Sequence, residues 1–224
     1  MYLTRMKLDP SKRNTMLALR SPNMIHGAVE QAFSGGRERR LWRLDSLGGL
    51  PNLLLLSTDK PNLSNADVQF GTGDGWETLP YEPLLNRVTV GSRWHFRLTA
   101  NPTFSEPQGP GRRGKIHAHI TPNCQEKWLL EQAESHGMEI EHKRFPRVEG
   151  VDDDQTEQIA LLVTGSKWYR FFKEGKSAPV SLLAVSYEGI LTVTDADLFR
   201  KTMTEGIGRG KAYGMGLLTV AREG

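Results

Sequence analysis

The chain holds six histidines and one cysteine, and these are its first candidates for proton-transfer or nucleophilic chemistry. His26 is the most pointed of them. It comes after Ser21-Pro22-Asn23-Met24-Ile25, in which Ser21 suits a helix N-cap and Pro22 the first helical position, where a missing N–H costs nothing. In the helix that this start predicts, Ile25, Ala28, Val29, Ala32 and Phe33 fall on one face and His26 on its border. A border imidazole is partly sheltered yet reaches solvent or substrate, and near neutral pH it can give or take a proton. The same placement also suits a plain pairing with Glu30, one turn further on. His117 and His119 share a face of an extended segment, a spacing able to ligate a metal. No third ligand lies nearby and Lys115 repels a cation, so no metal site is expected. Cys124 opens a helix, where a thiolate would be favoured, but a buried or incidental cysteine is the better reading.

The densest glycine segment is Gly206–Gly216 (GIGRGKAYGMG), with glycines at 206, 208, 210, 214 and 216 and cations at Arg209 and Lys211. Glycine permits positive φ and close backbone approach, and exposed N–H groups beside two cations can hold a phosphate. The segment could equally be a tight connector. It is no Walker A loop, because Ala212 comes directly after Lys211. It is no dinucleotide fingerprint, because Gly216-Leu217-Leu218-Thr219-Val220 reads as a strand where that motif needs a helix. The chain lacks a G-x-S-x-G nucleophile elbow. Asp152-Asp153-Asp154 reads as a solvated acidic turn, not a two-metal centre.

These residues sit in 224 residues with a formal charge of +3, enough chain for one large domain or two of roughly 110 residues. Basic residues cluster at Arg37–Arg43 (RERRLWR), Arg112–Lys115 (RRGK), Lys143–Arg147 (KRFPR) and Arg209–Lys211 (RGK). Such clusters suit a polyanion, since each phosphate contact releases counterions, although any one of them could be a solvated face. The longest aliphatic run, Leu53–Leu56, excludes a membrane-spanning helix, and the first residues lack a secretory h-region. A single cysteine permits no disulfide within the chain, and a reducing, cytoplasmic setting is the expectation.

The elements that must position the candidates are short and regularly spaced. A strand at 2–8 precedes helices over 11–20 and 22–33, the latter stopped by Gly35-Gly36. Strands fit 40–47 and 52–57 about a Gly48-Gly49 turn, and another fits 94–100. The Gly71–Gly75 and Glu106–Gly114 stretches punctuate the middle, the second as a mobile basic loop near a domain boundary. Then come a helix over 122–135, strands over 138–145, 158–163 and 181–193, a helix capped by Asp195, and a closing strand over 213–221. Each half reads as strand–helix–strand–strand–helix–strand, which predicts an α+β chain of two tandem ferredoxin-like (RRM-like) domains. The expected boundaries are 1–105 for the first domain, 106–120 for a Gly/Pro-rich linker and 121–224 for the second.

Taken in order, Met1-Tyr2-Leu3-Thr4-Arg5, the helix carrying His26, Phe96–Pro102 (FRLTANP) and Gly206–Leu218 (GIGRGKAYGMGLL) resemble the CasE family over the whole chain. That family is the CRISPR RNA-processing endoribonuclease subunit of the type I-E Cascade complex. The resemblance implies metal-independent cleavage of repeat RNA at the 3′ base of its stem-loop, with no cofactor. It implies His26 as the catalytic histidine, and the loop glycines Gly206, Gly208, Gly214 and Gly216 with Lys211 and Arg209 as RNA contacts. It further implies a groove-binding β-hairpin in the second domain, here placed over Trp168–Lys176 with Arg170 as the inserting residue. Some members carry tyrosine three residues before the histidine. This chain has Asn23, whose amide is no useful acid or base, so the second proton-transfer group is open.

RNA supplies its own nucleophile: the 2′-OH attacks the adjacent phosphorus, leaving a 2′,3′-cyclic phosphate (or 3′-phosphate) and a 5′-OH. On this reading His26 is general acid or general base, while Arg112, Arg113 and Lys115 are phosphate contacts from the loop. The expected partners are the repeat stem-loop and other Cascade subunits, with no membrane and a monomeric free protein. The rival reading is a non-catalytic RNA-hairpin-binding module of a ribonucleoprotein, although no RNP1-type motif is present.

Overall fold

The computed structural model describes residues 1–36, 38, 40–144, 157–172 and 178–222. The first half runs β1 (Tyr2–Leu8), α1 (Arg13–Ala18), α2 (Pro22–Gln31), β2 (Leu41–Leu47), β3 (Leu50–Ser57), α3 (Ser64–Phe70) and β4 (Gly71–Pro80). Its strands pair antiparallel in the order β2-β3-β1-β4, the ferredoxin-like arrangement. Gly48 and Gly49, both at positive φ, make the β2–β3 turn. The Gly71–Gly75 stretch, expected to break the chain, lies within β4. Gly73 and Gly75 take positive φ there, and the Asp67 carboxylate accepts both of their N–H groups at 3.2 Å.

After α4 (Glu82–Leu85), the second half runs β5 (Arg93–Ala100), β6 (Thr103–Glu106), β7 (Lys115–Ala118), α5 (Pro122–Glu134), β8 (Met138–Ile140), β9 (His142–Arg144), β10 (Glu157–Ile159), β11 (Leu161–Phe171), β12 (Val180–Val193), α6 (Ala196–Glu205), a 3-10 turn (Lys211–Tyr213) and β13 (Leu218–Ala221). The order β11-β12-β5-β13 repeats that of the first sheet, and β8 adds to the end of β12. Asp195 caps α6 as expected, its carboxylate accepting the N–H groups of Asp197 and Leu198.

The expected domain boundaries need correction. β5, placed within 1–105, is a central strand of the second sheet, so the first sheet ends at Pro80 and the second begins at Arg93. The physical reason is its alternation: Trp94, Phe96, Leu98 and Ala100 are buried with Leu129, Phe199 and Met203, residues of α5 and α6. Residues 106–120 are no linker either; they are largely the β6–β7 hairpin and its tip. The closing strand is shorter than expected, because Gly214 and Gly216 sit at positive φ and cannot extend it.

The four leucines of β3 explain how the halves join. Leu53 and Leu55 enter one core with Ile25, Val29 and Trp42. Leu54 and Leu56 point the opposite way and enter the larger core with Leu41, Phe199, Met203 and Leu217. A strand buried on both faces reads as a continuous apolar run, and each fully buried leucine is worth roughly 1.5–3 kcal/mol. The run that excluded a membrane helix is therefore the seam between the domains. Among the described residues, no helix is long and apolar enough to cross a membrane.

Candidate active site

α2 presents His26 as its periodicity predicts. Ile25 and Val29 are buried, Met24 and Ala28 pack beside them, and His26 is half-buried at their edge. Ser21 does not cap the backbone; its hydroxyl donates to the Asn23 side-chain oxygen. The Glu30 carboxylate, the partner considered for His26, receives Arg40 Nη1 at 3.3 Å.

The glycine-rich segment is brought to this helix from the far end of the chain. Its neck is closed by Ile207 N–H donating to Gly216 O at 2.9 Å and Gly216 N–H donating to Thr99 O at 2.6 Å. Arg209 pairs as an isolated bridge with Asn101. Between left-handed Gly210 and Gly214 the 3-10 turn projects Tyr213, whose ring meets His26 edge-on at 5.7 Å between centroids and 64°. Phe171 of β11 supports Tyr213 from another side at 4.8 Å. Beneath the turn, Trp42 Nε1 donates to Ala212 O at 3.3 Å. A cleft of about 230 Å³ opens beside the turn, lined by Pro22, Trp42, Arg43, Lys167, Tyr169 and Tyr213. Lys167 Nζ donates to Leu19 O at 2.9 Å and lies 5.0 Å from the Tyr169 ring centroid, tying β11 to the turn before α2. Burial holds the Tyr169 phenol above its ordinary range.

Only some of the expected RNA contacts gather here. Lys211 is half-exposed on the turn itself, and Arg209 and Gly208 are exposed on the same loop. Gly206, Gly214 and Gly216 are buried, which corrects their expected role as points of RNA approach. A Cβ on Gly206 would lie 3.0 Å from Leu41, one on Gly214 2.5 Å from the Trp42 ring, and one on Gly216 2.7 Å from Ile207 O. Arg170 is exposed on β11 but alternates with Tyr169 and Phe171, so it faces away from the cleft, with Trp168. Arg112 and Arg113 are exposed at the β6–β7 tip, and Lys115 starts β7 opposite Glu106. The Trp168–Lys176 hairpin is the β11–β12 connection, and residues 173–177 lie outside the described residues.

The Arg37–Arg43 cluster divides. Arg37 and Arg39 lie outside the described residues. Arg40 is buried against the Phe33 ring at 4.1 Å. Arg43, also buried, uses all five donors. Nε and Nη2 take the Asp45 carboxylate at 3.0 and 2.6 Å, Nη1 takes the carbonyls of Arg97 and Leu217 at 2.8 Å each, and Nη2 takes Thr219 Oγ1 at 2.7 Å. It is a strut between the domains. The Lys143–Arg147 side chains and the acidic turn over 149–156 lie outside the described residues. His117 and His119 both pack on Phe104, at 5.5 and 5.0 Å, and His117 reaches Glu106 at 3.0 Å. Among the described residues no three His, Cys, Asp or Glu side chains are placed to hold a metal ion.

Sequence reasoning missed Tyr213, Trp42 and Phe171. The signal for Tyr213 was present: three residues between glycines that must break a strand form a turn, not the start of one.

Fold and site together define a tandem ferredoxin-like protein with an imidazole set beside a cationic glycine-rich loop. The description "CRISPR associated protein" belongs to the family whose pattern matches residues 1–222. The CRISPR-associated endoribonuclease Cse3 of Thermus thermophilus is 33% identical over 230 residues, covering 99% of this chain and 100% of that protein. A structure of Cse3 bound to a 19 nt RNA superposes with a TM-score of 0.76 at 28% identity, over 99% of this chain and 100% of that one. Thermus thermophilus Cse3 bound to an RNA representing a pre-cleavage complex gives 0.73 at 28%, over 98% of each chain. The chain belongs to this CRISPR-associated protein family.

Proposed function

We propose that the chain is a metal-independent endoribonuclease that cuts CRISPR precursor RNA at the 3′ base of the repeat stem-loop and stays on its product in the cytoplasmic Cascade effector complex. The observation that carries the reading is the half-buried His26 beside the Arg209/Lys211 loop, in a chain similar end to end to the endoribonuclease Cse3. The 2′-OH is the nucleophile; His26 moves one of the two protons, a contribution of about 10²–10⁴-fold. Lys211 and Arg209 stabilise the charge that builds on the phosphate oxygens. A-form RNA hides its base edges in a deep groove, so the stem is held through phosphates and shape, by exposed cations such as Arg112, Arg113, Lys115 and Arg170. The test is a labelled repeat hairpin incubated with pure protein in EDTA. The wild type shortens it to a hairpin ending in a 2′,3′-cyclic phosphate (or 3′-phosphate) and releases a fragment with a 5′-OH, and His26→Ala binds it without cutting. A chelator-sensitive reaction, or a shifted but uncut hairpin with wild-type protein, rejects the reading.

A further inference from the structure

We propose that Tyr213 is the second proton-transfer residue, the general acid that protonates the departing 5′-oxygen while His26 acts as the base. The inference rests on the endoribonuclease reading of the same site. Cleavage by an internal 2′-OH needs a proton removed at one oxygen and supplied at another, on opposite sides of the phosphorus. One imidazole cannot face both oxygens at once. The structure brings a hydroxyl-bearing aromatic ring to His26, that of Tyr213, at 5.7 Å between centroids. Asn23, three residues before His26 on α2, has an amide that cannot supply a proton.

The setting of Tyr213 fits an active residue better than a filler. Its ring is wedged between His26 and Phe171 and carried on a turn pinned at both ends by left-handed glycines, with Trp42 beneath. It lines the cleft and is half-exposed, on the same turn as Lys211. A phenolic O–H is a donor, the kind of group an acid must present. The lysine on the same turn is a point charge suited to a non-bridging phosphate oxygen.

The step balances within the site. His26 takes the proton of the 2′-OH as the 2′-oxygen–phosphorus bond forms. The phosphorus–5′-oxygen bond breaks, and the 5′-oxygen takes the phenolic proton. The imidazolium then returns its proton to the phenolate, and both residues are restored for the next strand.

The test compares an ordinary repeat hairpin with one carrying a single 5′-bridging sulfur at the scissile position. A thiolate leaves without protonation, so the modified RNA has no need of an acid. Single-turnover rates and hairpin affinity are measured for wild type, Tyr213→Phe and His26→Ala. Tyr213→Phe is expected to bind normally, to cut the ordinary RNA about 10²-fold or more slowly, and to cut the sulfur RNA at the wild-type rate. His26→Ala stays slow on both. A wild-type rate for Tyr213→Phe on ordinary RNA overturns the inference. So does an equal loss on both substrates, which would make the ring a support for His26 and nothing more. Normal cutting by His26→Ala instead overturns the function proposed for the site, whatever Tyr213→Phe does.

Discussion

The Trp42 indole lies directly under Gly214, so close that a Cβ on that glycine would meet the ring at 2.5 Å. Gly214 is also left-handed, at φ 80°, where an L side chain is strained. A strand residue of the first domain thus sets the height of the loop that carries Tyr213 and Lys211. Gly214→Ala therefore suffers twice, by clash and by backbone strain of about 1–3 kcal/mol. The expected result is a lowered Tm and a cleavage rate reduced far more than hairpin affinity. Equal activity at equal Tm would mean that the loop is free to ride over the indole.

Arg43 supplies the second prediction. Its guanidinium joins β2 to the carbonyls of Arg97 and Leu217, and no other side chain type presents five donors in that fork. Arg43→Lys keeps the charge but leaves some of these buried acceptors without donors, a loss of about 1–3 kcal/mol for each one left unsatisfied. Urea unfolding should show the midpoint falling by a corresponding amount. A shift under about 1 kcal/mol would place water or another donor in the strut's role.

Lys211 and Arg43 make opposite predictions from the same residue class. Lys211 is half-exposed on the turn that carries Tyr213, so Lys211→Ala should weaken hairpin binding and reduce the salt dependence of log K by about 1. Titrations across a range of salt concentrations measure this slope. An unchanged slope would mean that Lys211 touches no phosphate.

Alkaline stability is set in part by Tyr187. Its hydroxyl donates to Gln125 O at 3.1 Å, and burial, reinforced by the Glu126 carboxylate, pushes the phenol well up. Below about pH 10 the phenol is neutral folded or unfolded, and its contribution is fully present. Above that only the unfolded chain ionises it readily, so stability falls as pH rises. Tyr187→Phe should lose about 1 kcal/mol at neutral pH and then decline less steeply than wild type above about pH 10. Parallel urea midpoints across that range would assign the alkaline loss elsewhere, for instance to Tyr81, whose phenol burial also raises.

Much of this arrangement could be read from local signals. The α2 start at Ser21-Pro22, the border placement of His26 and the Asp195 cap all come from spacing over one or two helical turns. The repeated strand–helix order was legible for the same reason. The hidden parts depended on partners far away in the chain. Arg43 and Lys211 are both cations in short basic runs, and nothing beside them says that one faces a domain seam and the other the solvent. Tyr213 was hidden because its contact with His26 spans almost the whole sequence. β5 was placed in the wrong half because its alternation shows that one face is covered, without naming the helices that cover it.

The two-faced leucine run of β3 has a consequence for how the protein comes into being. Leu54 and Leu56 share their core with Leu41 of the same sheet, but much of its remainder comes from far along the chain, among it Met203 and Leu217. During synthesis the first domain must wait with an oily flank showing, and the imidazole waits with it. The surroundings of His26 are therefore complete only once the turn carrying Tyr213 has docked against α2.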